Sequence, residues 1–151
     1  MTNFTKIFST QEDSVEGLGL IGLNDYEIPE WLNGEFLASG PSKFEMGDKK
    51  FNIALDGFGR FNRFQIKDGS INFDSKLTNS TWMTECEKAN TILPGMNFLH
   101  TTPERWESKI PFVNIYYSNK YYDDFWVQPH RLPDKKTYVG LTDMSDMAVI
   151  D

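Results

Sequence analysis

Two histidines, one cysteine and a few neighbouring carboxylates are the side chains of this sequence best suited to chemistry. His100 and His130 lie far apart, and neither has a Cys or Glu at ligand spacing, so as a metal signal they are weak. Both sit among turn-forming residues and read as loop histidines in ordinary hydrogen-bonding or surface roles. Cys86 is flanked by Glu85 and Glu87, whose charges disfavour the thiolate that a nucleophile needs, so it reads as a structural thiol. The pair Asp123-Asp124 and the residues Asp143 and Asp146 could act as acid and base. Adjacent side chains on a strand point to opposite faces, however, and a solvated face or turn explains these acids more simply. Tyr116, Tyr117, Tyr121, Tyr122, Phe125 and Trp126 could stack on a ligand, although core packing and cross-strand pairing account for them more simply. There is no Gly-Lys-Ser/Thr phosphate loop, no Gly-x-Ser-x-Gly elbow and no His-Glu-x-x-His. The residues by themselves therefore nominate no catalytic, cofactor-binding or metal-binding set.

The elements that would position such residues are those of a β-rich globular chain. Hydrophobic residues are 39% and charged residues 25% of the 151, within the range of one folded domain. With 12 Phe, 6 Tyr and 4 Trp, the composition favours pleated, half-buried surfaces. Lys plus Arg is 15 against 22 Asp plus Glu, a net charge of −7 that argues against a nucleic-acid partner. A single cysteine excludes an internal disulfide and fits a reducing compartment. The first residues lack the apolar core of a signal peptide, and the longest apolar stretch, Leu18 to Leu23, is too short to span a bilayer. A cytoplasmic chain is the expectation, and the sequons at Asn3 and Asn79 carry little meaning without secretion.

Residues 1–25 read as a polar, Gly-containing lead-in arm and residues 26–151 as the folded part. Ile28-Pro29-Glu30-Trp31-Leu32-Asn33-Gly34 suits one helical turn, with Pro near its start and Gly at its end. Glu35 to Ala38 follows as a short strand, stopped by Ser39-Gly40-Pro41-Ser42. The strongest signal is Asp68-Gly69 between two alternating runs from Arg60 to Leu77, which predicts a type I′ hairpin. Its register puts Ile66 opposite Ile71 and Phe64 opposite Phe73 on one face. Gln65 then faces Asn72, and Arg63 faces Asp74, on the other. Asn90 to Lys109 is irregular. Phe112–Tyr117, Tyr122–Val127, Thr137–Thr142 and Met147–Ile150 read as further strands, with Pro129 to Asp134 a loop and Asp143 to Asp146 a connection. No long window has helical periodicity, so the fold class is all-β, with short antiparallel strands and hairpins.

Residues 28 to 77 resemble the opening of the carotenoid cleavage oxygenase family. The likeness runs through Ile28-Pro29-Glu30-Trp31-Leu32-Asn33-Gly34-Glu35-Phe36-Leu37, then Gly40-Pro41, Phe44-Glu45-Met46-Gly47 and Leu55-Asp56-Gly57-Phe58-Gly59, to the hairpin at Asp68-Gly69. Residues 112 to 151 are less similar, with an apparent insertion around Lys120 to Lys136. Ala38 and Ser39 stand where the family usually has an arginine and a polar residue. Ile53 and Leu55 replace the usual His and Phe. The resemblance implies a seven-bladed β-propeller with Fe(II) held on its axis by four histidines. Such proteins use O₂ to split a double bond of a carotenoid or retinoid polyene, which enters through an apolar tunnel whose mouth touches membrane.

A propeller blade needs ~40–50 residues, so seven blades need roughly 280–350. The expectation is therefore a partial propeller, comprising the opening segment and the first one or two blades. Neither His100 nor His130 falls on a ligand position of the family. This chain alone is thus expected to bind no Fe(II) and to be inactive. It is also expected to be marginally stable, because open strand edges and apolar blade faces meet water. Two other readings follow from size and composition: a free-standing β-barrel or sandwich that binds an apolar small molecule, and a module whose open edge pairs with another chain.

Overall fold

The computed structural model describes residues 9–20, 27–93, 127–134, 136–141 and 147–150. In chain order the strands are β1 (Val15–Gly19), β2 (Gly34–Lys43), β3 (Glu45–Met46), β4 (Lys49–Lys50), β5 (Phe58–Lys67) and β6 (Ser70–Leu77). Helix α1 (Thr81–Ala89) follows, and then β7 (Gln128–Arg131), β8 (Tyr138–Leu141) and β9 (Met147–Ile150). These strands form antiparallel sheets of four, two and three, in the orders β1-β6-β5-β2, β3-β4 and β7-β8-β9. They do not close into the single barrel of the alternative reading.

The main sheet is built on the β5–β6 hairpin, whose pairing runs from Arg60↔Leu77 to Lys67↔Ser70 with the expected register throughout. Asp68 and Gly69 have φ of 48° and 73°, the two left-handed residues that a type I′ loop demands. β2 adds to one edge of the hairpin and β1, within the lead-in, adds to the other.

Three local expectations are corrected. Glu30 and Trp31 form a turn rather than a helical turn, closed by the Leu32 N–H donating to the Pro29 carbonyl at 2.9 Å. The strand beginning at Gly34 does not stop at Ser39 but continues through Gly40 and Pro41 to Lys43. It can do so because β2 is an edge strand and its register shifts between Pro41 and Lys43, which accommodates a residue with no N–H. The Pro129 segment is likewise strand β7 at an edge, and only its C-terminal end is a turn, where Asp134 Oδ1 accepts the Lys136 and Thr137 N–H groups. β8 and β9 fall within the two C-terminal strands expected. The strand expected at 112–117, nearly all of that at 122–127 and the connection 143–146 lie outside the described residues.

Helix α1 is the element the periodicity argument passes over. Nine residues with apolar side chains at 82, 83 and 86 give too short a pattern, and its stability comes from caps and packing. Ser80 Oγ accepts the Met83 N–H at 3.0 Å, and Asn90 ends the helix in a left-handed conformation. Its buried face completes the core of Met46, Phe51, Phe58, Trp82, Met83, Cys86 and Ile92. Phe51, Phe58 and Trp82 meet pairwise, with centroids 5.1–5.8 Å apart, and the Trp82 Nε1–H donates to the Leu93 carbonyl at 3.1 Å.

The recurrent Gly residues of the family-like segment have steric reasons. A Cβ on Gly47 (φ +60°) would lie 2.0 Å from the Asn90 carbonyl oxygen, so the β3–β4 turn and the end of α1 touch through backbone. A Cβ on Gly57 would lie 2.7 Å from the ring of Phe44.

Candidate functional site

The densest polar constellation among the described residues lies where the β7–β8 hairpin meets the main sheet. Strand pleating puts Glu35 (β2), Arg63 and Gln65 (β5) and Asp74 (β6) on one face, because Glu35 pairs with Gln65 and Arg63 with Asp74. Arg131 (β7) and the buried Tyr138 (β8) reach this face from the second sheet.

Their hydrogen bonds close on one another. Arg63 Nε and one Nη lie 2.9 and 2.8 Å from Asp74 Oδ2, and the Gly17 N–H donates to Asp74 Oδ1 at 2.7 Å. A further Arg63 N–H donates to the Tyr138 hydroxyl at 3.3 Å, and that hydroxyl lies 3.0 and 3.1 Å from the two oxygens of Glu35. Glu35 also takes the Arg131 guanidinium at 2.8 Å and the Gln65 amide at 3.3 Å. Both guanidinium carbons stand over the Tyr138 ring, 5.5 and 5.7 Å from its centroid.

Two cations thus balance two carboxylates, and the shifts of the titrating groups follow. The Gly17 N–H and Arg63 hold the Asp74 carboxyl below the ordinary aspartate value against the upward push of burial. Burial pushes the Arg63 guanidinium down, but its bonds to Tyr138 and Asp74 outweigh that and leave it raised. Each carboxylate oxygen of the cluster already has a donor, so the constellation holds two sheets in register and presents no open base or nucleophile. A cavity of about 340 Å³ adjoins it, lined by Val15, Phe61, Arg63, Asp74, Lys136 and Tyr138. A wider cleft of about 940 Å³ lies beside the hairpin turn, between Leu20 and Ile71 on one hand and Glu27, Glu30 and Asp68 on the other.

The residues that the sequence singles out lie elsewhere. Cys86 is fully buried in the core, and its Sγ accepts the Leu93 N–H at 3.2 Å. His130 is an exposed residue of β7 paired with Val139, so it belongs to a strand rather than a loop. His100, the aspartates at 123, 124, 143 and 146, and the aromatic run from Tyr116 to Trp126 lie outside the described residues. No motif or spacing in the sequence singles out Glu35, Arg131 or Tyr138. Only the Arg63–Asp74 half of the cluster had a local signal, the hairpin register.

A family model described as retinal pigment epithelial membrane protein matches residues 16–137. The chain belongs to this family, the carotenoid cleavage oxygenases. The mitochondrial carotenoid-cleaving dioxygenase of Homo sapiens is 40% identical over 67 residues, which are 44% of this chain and 12% of that protein. Synechocystis apocarotenoid oxygenase, solved as a point mutant, superposes with a TM-score of 0.79 at 17% identity over 98% of this chain and 29% of its own. The cobalt-substituted form of that oxygenase gives a TM-score of 0.58 at 23% identity over 65% of this chain and 20% of its own. The chain thus spans less than a third of each of these relatives, and its sheets form part of a carotenoid-oxygenase propeller. Among the described residues no three His, Cys, Asp or Glu side chains converge, so these residues do not by themselves fit the metal centre that such a fold implies.

Proposed function

We propose that this carotenoid oxygenase chain is the opening portion of a non-haem Fe(II) dioxygenase that cleaves a double bond of a carotenoid or retinoid. In this reading residues 1–25 are a lead-in arm, and residues 26–151 are the opening segment and first one or two blades. The iron and its histidines belong to other parts of the whole protein, and this chain alone is inactive. The observation that supports the reading most is the superposition of nearly the whole chain on 29% of an apocarotenoid oxygenase. The closed charge network of Glu35, Arg63, Asp74, Arg131 and Tyr138 agrees with it, because it fastens one sheet to the next and leaves no group to react.

No described helix is long and apolar enough to cross a membrane. In this reading the whole protein touches membrane peripherally, and exposed Leu18, Trp31 and Phe36 are among the apolar side chains this chain could offer. The net charge of −7 supports the absence of a nucleic-acid partner, and the single thiol, Cys86, supports a cytoplasmic location.

The test is to incubate the purified 151-residue chain with O₂ and β-carotene, with and without added Fe(II), separate the products and measure retained metal. No aldehyde product and no stoichiometric iron are expected. Tight one-to-one Fe(II) binding or carotenoid cleavage by this chain would overturn the inactive-portion reading.

A further inference from the structure

Residues 10–13 cross the end of the β2–β5 pair and are gripped there by two cations that face inward. Arg60 is 5% and Lys43 8% exposed. Arg60 donates to Ser42 Oγ and to Ser75 Oγ, each at 3.0 Å. Its other two acceptors come from the lead-in, the Asp13 carbonyl at 3.0 Å and the Gln11 carbonyl at 2.6 Å. Ser75 Oγ passes the chain of bonds on to Asn62 Oδ1 at 2.6 Å. Lys43 Nζ lies 3.3 Å from Glu12 and 3.6 Å from Glu87 of α1. The backbone is fastened as well. The Gln11 N–H donates to the Ser42 carbonyl, and Thr10 Oγ1 accepts the Phe44 N–H, both at 3.0 Å.

A guanidinium removed from water is tolerated only while its N–H groups have acceptors, and stranding such a charge is strongly unfavourable. Here half of the four acceptors are main-chain carbonyls of the strap. Burial already pulls the Arg60 guanidinium below its ordinary value, and only Asp13 pulls it back. The strap therefore cannot lift away while the sheet end stays closed, because Arg60 would remain inside with two acceptors gone.

We propose that residues 10–13 and the adjoining end of the β2–β5 pair are one locking unit, a clasp keyed to Arg60 that opens only when the sheet end opens with it. Lys43 is the second, weaker point of the clasp, since its partner Glu12 is largely in water.

Hydrogen exchange read by mass spectrometry on the 151-residue chain tests it. Gln11→Pro deletes the N–H given to Ser42 and leaves the Arg60 guanidinium and its two serine acceptors in place. Exchange should then speed up roughly tenfold or more both in residues 9–14 and in residues 40–44 and 58–61, where strands pair behind the strap (tenfold being 1.4 kcal/mol of opening free energy). In an Arg60→Met background, which has no charge to strand, Gln11→Pro should no longer accelerate residues 40–44 and 58–61. Acceleration confined to residues 9–14 would overturn the proposal, as would an undiminished effect of Gln11→Pro in the Arg60→Met chain. Should Arg60→Met fail to fold, the comparison of Gln11→Pro with the parent chain decides alone.

Discussion

Strand β5 is held at its start and at its middle by opposite kinds of interaction. Phe58 at its start sinks into the Phe51–Trp82–Met83 core, where contacts are apolar and water is excluded. Five residues on, Arg63 is tied into a network of charges and hydroxyls that joins the main sheet to the β7–β8 hairpin. The apolar contacts of Phe58 are insensitive to salt and pH because dispersion and the hydrophobic effect carry no charge. The network at Arg63 responds to both, and it can be undone by changing one polar atom. One strand thus links the apolar core to the polar network on which the next sheet is seated.

The largest effect should come from the apolar core. Trp82→Ala empties the centre of the aromatic trio and strands the Leu93 carbonyl, so a loss of about 3–5 kcal/mol is expected in urea unfolding. Against the ~5–15 kcal/mol typical of a folded domain, that removes a large share of the stability. Gly47→Ala comes next. The left-handed backbone alone costs about 1–2 kcal/mol for an L side chain. The Asn90 carbonyl 2.0 Å from the new methyl adds to that. Its loss should be the same in low and high salt.

In the polar network the losses are smaller and depend on conditions. Tyr138→Phe keeps the ring against Phe61 and both guanidinium groups but leaves Glu35 without its hydroxyl donor, a cost of about 1–2 kcal/mol. Near-ultraviolet circular dichroism of the remaining tyrosines should report a loosened second sheet while the tryptophan bands of the core persist. Asp74 gives the pH arm of the comparison. Its folded value is depressed, chiefly by the Gly17 N–H and next by Arg63, so its contribution is complete above the ordinary aspartate value. The contribution then fades as pH falls through the depressed one. Urea midpoints should therefore drop on acidification below about pH 4, and Asp74→Asn should flatten that limb and leave the chain weaker at neutral pH.

What the sequence disclosed divides along the same line. The hairpin was legible to the residue, because Asp68-Gly69 fixes both the turn and the register and everything decisive is local. β8 and β9 were legible for the same reason. The family-like run at residues 28–77 falls within the matched span, and the packing of Gly57 on Phe44 gives two of its positions a physical cause. Helix α1 was not legible, since its short apolar pattern gains meaning only from the aromatic rings brought to it from Phe51 and Phe58. The passage of β2 through Pro41 required knowing that the strand would lie at an edge. Glu35 and Tyr138 are 103 residues apart in the chain, and no period or spacing connects them. Arg60 takes its role from main-chain carbonyls of residues 11 and 13, nearly fifty positions away, which no local pattern connects to it.

The smallest expected effect sharpens the contrast between the two regions best, because it varies burial while holding geometry constant. Lys88 and Glu85 on α1 approach to 2.8 Å, the same separation as Arg63 and Asp74. Their side chains are 67% and 40% exposed, against 29% and 22% for the clamp pair. Water and salt screen the helical pair, and two long side chains surrender rotamer freedom to make it, so Lys88→Ala should cost no more than about 0.5 kcal/mol. Arg63 stands between Asp74 and Tyr138 with fewer waters to replace them, so Arg63→Ala should cost several times as much and leave the Asp74 carboxylate short of donors. If the two substitutions proved equally mild in urea unfolding at low salt, distance alone would set the worth of these pairs. The clamp would then be a surface feature and no longer the seat of the second sheet.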